Sequence, residues 1–451
     1  MNIFLFIFTL LGIQAICWWV GKKSARNTAT QEEYFLGGKK VSFFPLTMTF
    51  IGAQVGGGLV LGAAQEAASV GWWVLLYPLG QVLGMLWLSM GLGRRLASFD
   101  VPTVAQVFER FYGSALLKRI AALVSIGSLF LILVTQVLAT KSFLAAAGIN
   151  NIWLFFLFWG FVLSYTGMGG FKAVIKTDLI QASFFIVVFG AALFFFWSSP
   201  VQMPSKESAI SFAPSLSQLS GWLVMPFLFA ALEQDMGQRC FAAKSTSVLS
   251  RAARTASIIT FLLCLIPIYF GIIGGKLGFA SEGKSSVLMT VVQWATSPEM
   301  TALIGVAVMA AILTTSDSLL NALTSNLTQD FSFLQQRPLS WTRMASIGMG
   351  VLAIGISFLF DNIVSLMIMA YELSVCTLVV PLLGALFKKG KGNAISAYLS
   401  IGLGAIAFFS LRSISLDFPK ELTALALSAV GFFLGEVIAR ALPNQAPTHE
   451  R

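Results

Sequence analysis

Apolar runs of about twenty residues recur along nearly the whole chain, and a run of that length crosses the ~30 Å hydrocarbon core of a bilayer as a helix. Backbone polar groups in lipid must be satisfied within their own segment, so such a chain folds as a helical bundle. A transmembrane β-barrel would show short alternating segments instead. With 57% hydrophobic and 11% charged residues, the chain does not read as an ordinary soluble domain. The expectation is an all-α polytopic membrane protein, with the lipid bilayer as its surroundings.

About thirteen spans are predicted from the runs, near 2–20, 43–65, 71–92, 119–146, 152–169, 174–198, 218–238, 252–275, 300–325, 341–360, 362–386, 393–411 and 422–441. The first run is followed, not preceded, by Lys22, Lys23 and Arg26. By the positive-inside rule this puts the N-terminus outside and the C-terminus in the cytoplasm, and it does not resemble a cleaved signal peptide. Of the 29 Lys and Arg, only Lys206, Lys276, Lys284, Arg412 and Lys420 then fall in outer segments, with Lys141 near an outer helix end where it can snorkel. The net charge of +10 therefore reflects cytoplasmic loops and carries no expectation of nucleic-acid binding.

The connectors near 199–217 and 276–299 are too short for a catalytic domain. The inner loop from Pro102 to Arg110 reads as a short interfacial helix with the proline at its start. Cys17, Cys240, Cys264 and Cys376 form no spacing motif, and the one histidine, His449, sits in the tail. No enzymatic or zinc constellation is expected.

Two spans carry interruptions. The second holds Gly56-Gly57-Gly58, and glycine weakens a helix by about 1 kcal/mol relative to alanine. The seventh holds Pro226 and then Glu233-Gln234-Asp235. Breaks at matching places in two halves point to an inverted-repeat transporter whose unwound carbonyls coordinate a cation. Close helix packing would use the same small residues.

Residues 310–330 carry a stripe of Thr314, Asp317, Ser318, Asn321, Ser325 and Thr328 along one helix face. An Asp at the helix centre costs at least about 2.5–3.5 kcal/mol in lipid, so this face must look into the protein.

Several motifs resemble the solute:sodium symporter family, which includes sodium/proline, sodium/glucose and sialic acid type carriers. Residues 169–181, GGFKAVIKTDLIQ, resemble its GG-x-x-AV-x-x-TD-x-x-Q signature. Tyr34-Phe35-Leu36-Gly37-Gly38 is similar to the motif before its first core helix, and Gln238-Arg239 with Ala242-Ala243-Lys244-Ser245 to the one after its sixth. The stripe at 310–330 looks like its eighth core helix. The resemblance implies a LeuT-like fold in a single transporter domain: an extra helix at 2–20, a first five-helix repeat at 43–198, its inverted copy at 218–386, and two extra helices at 393–441. It also implies uptake of a small organic solute driven by inward sodium flow through alternating access. A protein of this kind is expected in the cell membrane, as in a bacterial inner membrane, and to function as a monomer.

Carried over by position, the resemblance implies a main sodium site from the carbonyls of Ala53, Gly56 and Ala311 and the hydroxyls of Thr314 and Thr315. Neutral oxygens suit a hard cation; bonding of both threonines back to their own helix is the competing structural role. A second sodium site would use Asp178, Thr314, Asp317 and Ser318. Asp317 stands there in place of a hydroxyl, and could instead be protonated or pair with Lys176. The solute is expected near the midplane, among Gln54, Gln81, Gln136, Phe229, Glu233, Tyr371 and Glu372; Glu233 could alternatively pair with Arg239. A proton-coupled carrier with Asp317 and Asp178 as relay is the alternative mechanism, and a membrane sensor a more distant one.

Overall fold

In the computed structural model the apolar runs become helices whose outer faces stay apolar, as a lipid surrounding allows. Phe4, Trp153, Met344, Leu359 and Phe433 all lie exposed on that perimeter. The structure describes residues 1–26, 31–149, 151–198, 213–279, 286–414 and 418–441. Lys206, Lys284, His449 and most of the connector near 199–217 lie outside the described residues.

The principal helices run in chain order. They are α1 (Ile3–Arg26), α2 (Phe43–Gln54), α3 (Ala63–Val70), α4 (Leu76–Trp87), α5 (Val104–Tyr112) and α6 (Ala115–Ala146). Next come α7 (Ile152–Ser198), α8 (Leu216–Phe229), α9 (Gln234–Ala242), α10 (Thr246–Lys276), α11 (Val287–Ala295) and α12 (Pro298–Gln329). The last are α13 (Leu339–Ile356), α14 (Ile363–Ser374), α15 (Val380–Phe387), α16 (Ala394–Ser410) and α17 (Lys420–Ala441). Among the described residues, 11 helices are long and apolar enough to cross a membrane, and Ile152–Gly167 is a shorter apolar one. This is a multi-pass membrane protein.

The 47 residues of α7 would extend about 70 Å as one straight helix, over twice the hydrocarbon core. Gly170, with φ 60° and ψ −163°, divides it into two spans. A side chain there would meet the Tyr34 carbonyl oxygen at 2.5 Å. Further along the chain, α12 is the axis of the bundle. Its apolar stretch is 94% buried, against 28% for α1 and for α17. Helices α1, α2, α6, α7, α9 and α13 pack around it.

Three local expectations change. The helix after Pro102 begins only at Val104, because Thr103 caps it by accepting from the Gln106 N–H at 3.3 Å. Pro102 therefore precedes the cap, and Gly113 (φ 69°) ends the helix. The connector near 276–299 contains helix α11, capped by Ser286. Its residues Leu288, Met289, Val291 and Val292 are buried against the bundle, which a loop reading missed. The first interrupted span runs on to Val70, where Gly71 (φ 65°) stops it.

Helix α10 lies directly on the backbone of α3. A Cβ at Gly271 would sit 2.2 Å from the Ala64 carbonyl oxygen, and one at Gly275 2.2 Å from that of Ala68. Backbone cannot step aside as a side-chain end can, and overpacking costs about 1–3 kcal/mol or more. Gly271→Leu is expected to lower the unfolding temperature of the detergent-solubilised protein by several degrees. Gly12→Leu, where no atom lies within 4 Å, should leave it unchanged. Fluorescence-detected size-exclusion after heating reads both, and equal melting would refute this packing.

Candidate ion and solute site

The site grows from two broken helices that face α12. The first break follows Gln54. Val55 closes α2 with its N–H on the Ile51 carbonyl, and helical winding resumes at Gly58. The N–H of Gly57, freed by the break, donates to Gln136 Oε1 on α6 at 2.8 Å. The second break lies between Phe229 and Gln234, beyond Pro226. The two interrupted spans are pinned at one end: the Val41 N–H donates to the Ala242 carbonyl (3.1 Å) and the Lys244 N–H to that of Val41 (3.0 Å).

At the first break, α12 approaches to hydrogen-bonding distance. Thr314 Oγ1 lies 2.7 Å from the Gly52 carbonyl oxygen and 2.9 Å from that of Ala311. Thr315 Oγ1 lies 3.0 Å from the same Gly52 oxygen. This approach needs glycine at position 56, since a Cβ there would sit 2.5 Å from Thr315 Oγ1. Thr314 thus reaches both back along its own helix and across to the broken one, whereas Thr315 reaches across. These neutral carbonyl and hydroxyl oxygens fit a hard monovalent cation, and the Asp178 carboxyl packs against the same Gly52. Ala53 and Gly56 line a small cavity together with Thr315.

The stripe at 314–328 is buried throughout, yet its members part company. Ser318 accepts from Arg239 Nη2 at 2.6 Å, and the same nitrogen lies 3.4 Å from Asp178 Oδ2. Arg239 also donates to the Thr49 carbonyl (2.9 Å), the Thr49 hydroxyl (3.0 Å) and the Asp235 carbonyl (2.8 Å). Thr49 in turn donates to Asp178. Asp317 faces elsewhere. It accepts from Tyr165 Oη at 2.9 Å and from Thr166, while Lys176 lies near Ser24 (3.5 Å) and not near Asp317. The structure therefore brings Asp178 and Ser318 together around a guanidinium and leaves Asp317 beside α7.

Gln54, Gln81, Gln136 and Tyr371 share one cavity of about 10 Å³ with Glu233, close to the smallest volume that admits a water molecule. Phe229 stands behind it, its ring 4.7 Å from that of Tyr371. Glu372 is not in this cavity. It pairs with Arg412 at 3.3 Å and lines a wider one of about 380 Å³ with Glu66 and Trp222. Glu233 does not take Arg239 as its partner; it accepts from Gln54 Nε2 at 3.0 Å, while Asp235 lies 3.9 Å from the guanidinium. Sequence reasoning missed Thr49, Tyr165, Thr166 and the Gly52 carbonyl. One signal was available for Thr49, which lies one helical turn before Ala53 on the same face.

Broken helices closing on a buried oxygen cluster are what a cation-coupled transporter needs, and comparison with known proteins gives the family. The model described as "Sodium:solute symporter family" matches residues 34–355. The chain belongs to the sodium:solute symporter family, and it performs sodium-coupled secondary transport of a solute. It is 23% identical over 439 residues to the sodium/pantothenate symporter of Haemophilus influenzae, covering 89% of each chain. It is 25% identical over 305 residues to the sodium/sialic acid symporter of Proteus mirabilis, covering 62% of this chain and 59% of that one. Its fold is similar to that of a Na+-coupled sialic acid symporter solved in a substrate-bound outward-open state. There the TM-score is 0.75 at 17% identity, over 97% of this chain and 98% of that one. A nucleobase-cation-symport-1 family transporter shares the fold at TM-score 0.57 and 14% identity, over 92% and 96% of the two chains.

Arg239 is fully buried beside Asp178 and Asp235, and removing one partner of a buried ion pair typically costs about 3–5 kcal/mol. Arg239→Gln is expected to lower thermal stability sharply. Adding Asp178→Asn should recover part of the loss, because it removes one orphaned charge. Melting of the single and double variants in detergent reads this coupling, and strictly additive losses would contradict it.

Proposed function

We infer that the protein couples inward sodium flow to uptake of a small organic solute by alternating access, in the inner membrane of a bacterium and as a monomer. The observation that carries this reading is the meeting of Thr314 and Thr315 with the Gly52 carbonyl at the first helix break. In this reading the main sodium ion is held by the carbonyls of Ala53, Gly56 and Ala311 and the hydroxyls of Thr314 and Thr315. Solute binds against Gln54, Gln81, Gln136 and Tyr371, with Phe229 behind them. The cavity's small volume fits an occluded state that must widen to accept the solute.

About thirteen spans, N-terminus outside and C-terminus cytoplasmic, follow from the Lys and Arg distribution. The two breaks fall at corresponding places in repeats 43–198 and 218–386, as an inverted pair requires. Asp178, Asp317 and Ser318 were expected to hold a second sodium. The guanidinium of Arg239 already links Asp178 to Ser318, which disfavours a second sodium there in this conformation.

The named solutes of the relatives, pantothenate and sialic acid among them, form the first panel for counterflow in proteoliposomes. Uptake should require a sodium gradient, and an imposed pH gradient alone should drive none. Thr315→Ala removes one of the proposed ligands and should weaken apparent sodium affinity by about tenfold or more, the equivalent of ~1.4 kcal/mol. Full uptake without sodium, or unchanged sodium dependence in Thr315→Ala, would overturn the assignment.

A further inference from the structure

Glu233 is the charged side chain that lines the cavity between the broken helices. It is 7% exposed, and its hydrogen-bond donor there is the neutral amide of Gln54. The guanidinium six residues further on is committed to Thr49, Asp178, Asp235 and Ser318. A buried carboxylate without a cationic partner is costly, and Asp235 beside it is another acid. Across the cavity, Gln81 is 6% exposed, and its amide oxygen is buried without a hydrogen-bond partner. Its nitrogen is engaged with Tyr371 Oη at 3.2 Å. The other amide donors lining the cavity are also engaged: Gln54 Nε2 by Glu233, and Gln136 Nε2 by Thr135 Oγ1 (3.2 Å) and the Ile132 carbonyl (3.4 Å). The cavity thus presents Glu233 and the Gln81 amide oxygen, two acceptors whose complement is a positive group rich in N–H or polarised C–H.

Two further features agree. The rings of Phe229 and Tyr371 pack beside Glu233's cavity, and aromatic faces attract ammonium ions. One helical turn further along the same two walls, a cavity of about 210 Å³ is lined by Leu61 and Gly62 on one side and Ile363 and Val364 on the other. Among the described residues of its lining, Glu66 and Asp361 carry the acidic side chains.

We propose that the transported solute carries an ammonium group and that Glu233 is the residue that receives it. This assignment rests on reading the cavity as the solute site. A carboxylate elsewhere on the solute is compatible with it, whereas a solute lacking a positive nitrogen leaves Glu233 and the Gln81 oxygen unmatched.

The test uses the full chain, purified in saturating sodium, and pairs of shape-matched probes. Choline is set against 3,3-dimethyl-1-butanol, and L-proline against cyclopentanecarboxylate, with pantothenate as a solute lacking ammonium. At least one ammonium probe should raise the unfolding temperature, with its isostere weaker by about tenfold or more. Glu233→Gln should abolish that preference and Glu233→Asp should keep it, while both variants retain stabilisation by sodium alone. Isosteres or pantothenate binding as well as the ammonium probes would overturn the proposal, and so would a panel in which no ammonium probe binds. The wild-type selectivity decides even if the variants fail to fold. A wild-type protein unmoved by sodium would instead strike the ion-site reading, and the proposal with it.

Discussion

The structure hangs on a buried positive charge. Arg239 has no exposed surface, and its guanidinium touches α2 through Thr49, α7 through Asp178, α9 through Asp235 and α12 through Ser318. A guanidinium presents five donors in a fixed plane, so a single side chain can tie its own helix to three others in one arrangement. Phe171 lies beside it, 5.7 Å from the guanidinium carbon to the ring centre. The same network explains why α12 tolerates a polar face. Thr314, Thr315, Asp317 and Ser318 meet partners on neighbouring helices, Thr328 bonds back to its own helix, and all of them are buried.

This anchor sits beside the two places where the chain gives up helical bonds. Breaks at Val55–Gly57 and at Ala230–Glu233 expose backbone groups that a bilayer cannot satisfy. Gln136 takes the Gly57 N–H, and Thr314 and Thr315 take the Gly52 carbonyl. Each substitute bond is made by a side chain on a different helix. Movement between those helices therefore changes which backbone oxygens are free, which is how an ion that binds there can favour one arrangement over another. Glu233 lies at the start of α9 and Gln54 at the end of α2, so their hydrogen bond ties one break to the other across the small cavity between them.

Much of this was legible in the residues. The apolar runs, the glycines at 56–58 and the Pro226–Asp235 stretch located the spans and the breaks, and the 314–328 stripe announced a buried face. Side-chain partners were not legible in the same way. Asp317 and Ser318 are neighbours in sequence, but successive helix residues point about 100° apart. One therefore meets Tyr165 and the other Arg239. Glu372 directly follows Tyr371, yet it faces Arg412 and the wider cavity. Helix α11 went unread because a nine-residue helix is too short to register as a membrane span.

What the sequence by itself determined was the solvent and the class of fold: lipid admits only segments that satisfy their own backbone, and that constraint is written in composition and run length. The family motifs, each a short local pattern, were equally readable. Only the tertiary structure decided which buried acid meets which partner. Arg239 could have paired with Glu233 on spacing alone, but it lies beside Asp235, and the packing of α2 and α7 against α12 brings it to Thr49 and Asp178. That choice left Glu233 facing the cavity, because buried charges pair according to positions in space that no local spacing encodes.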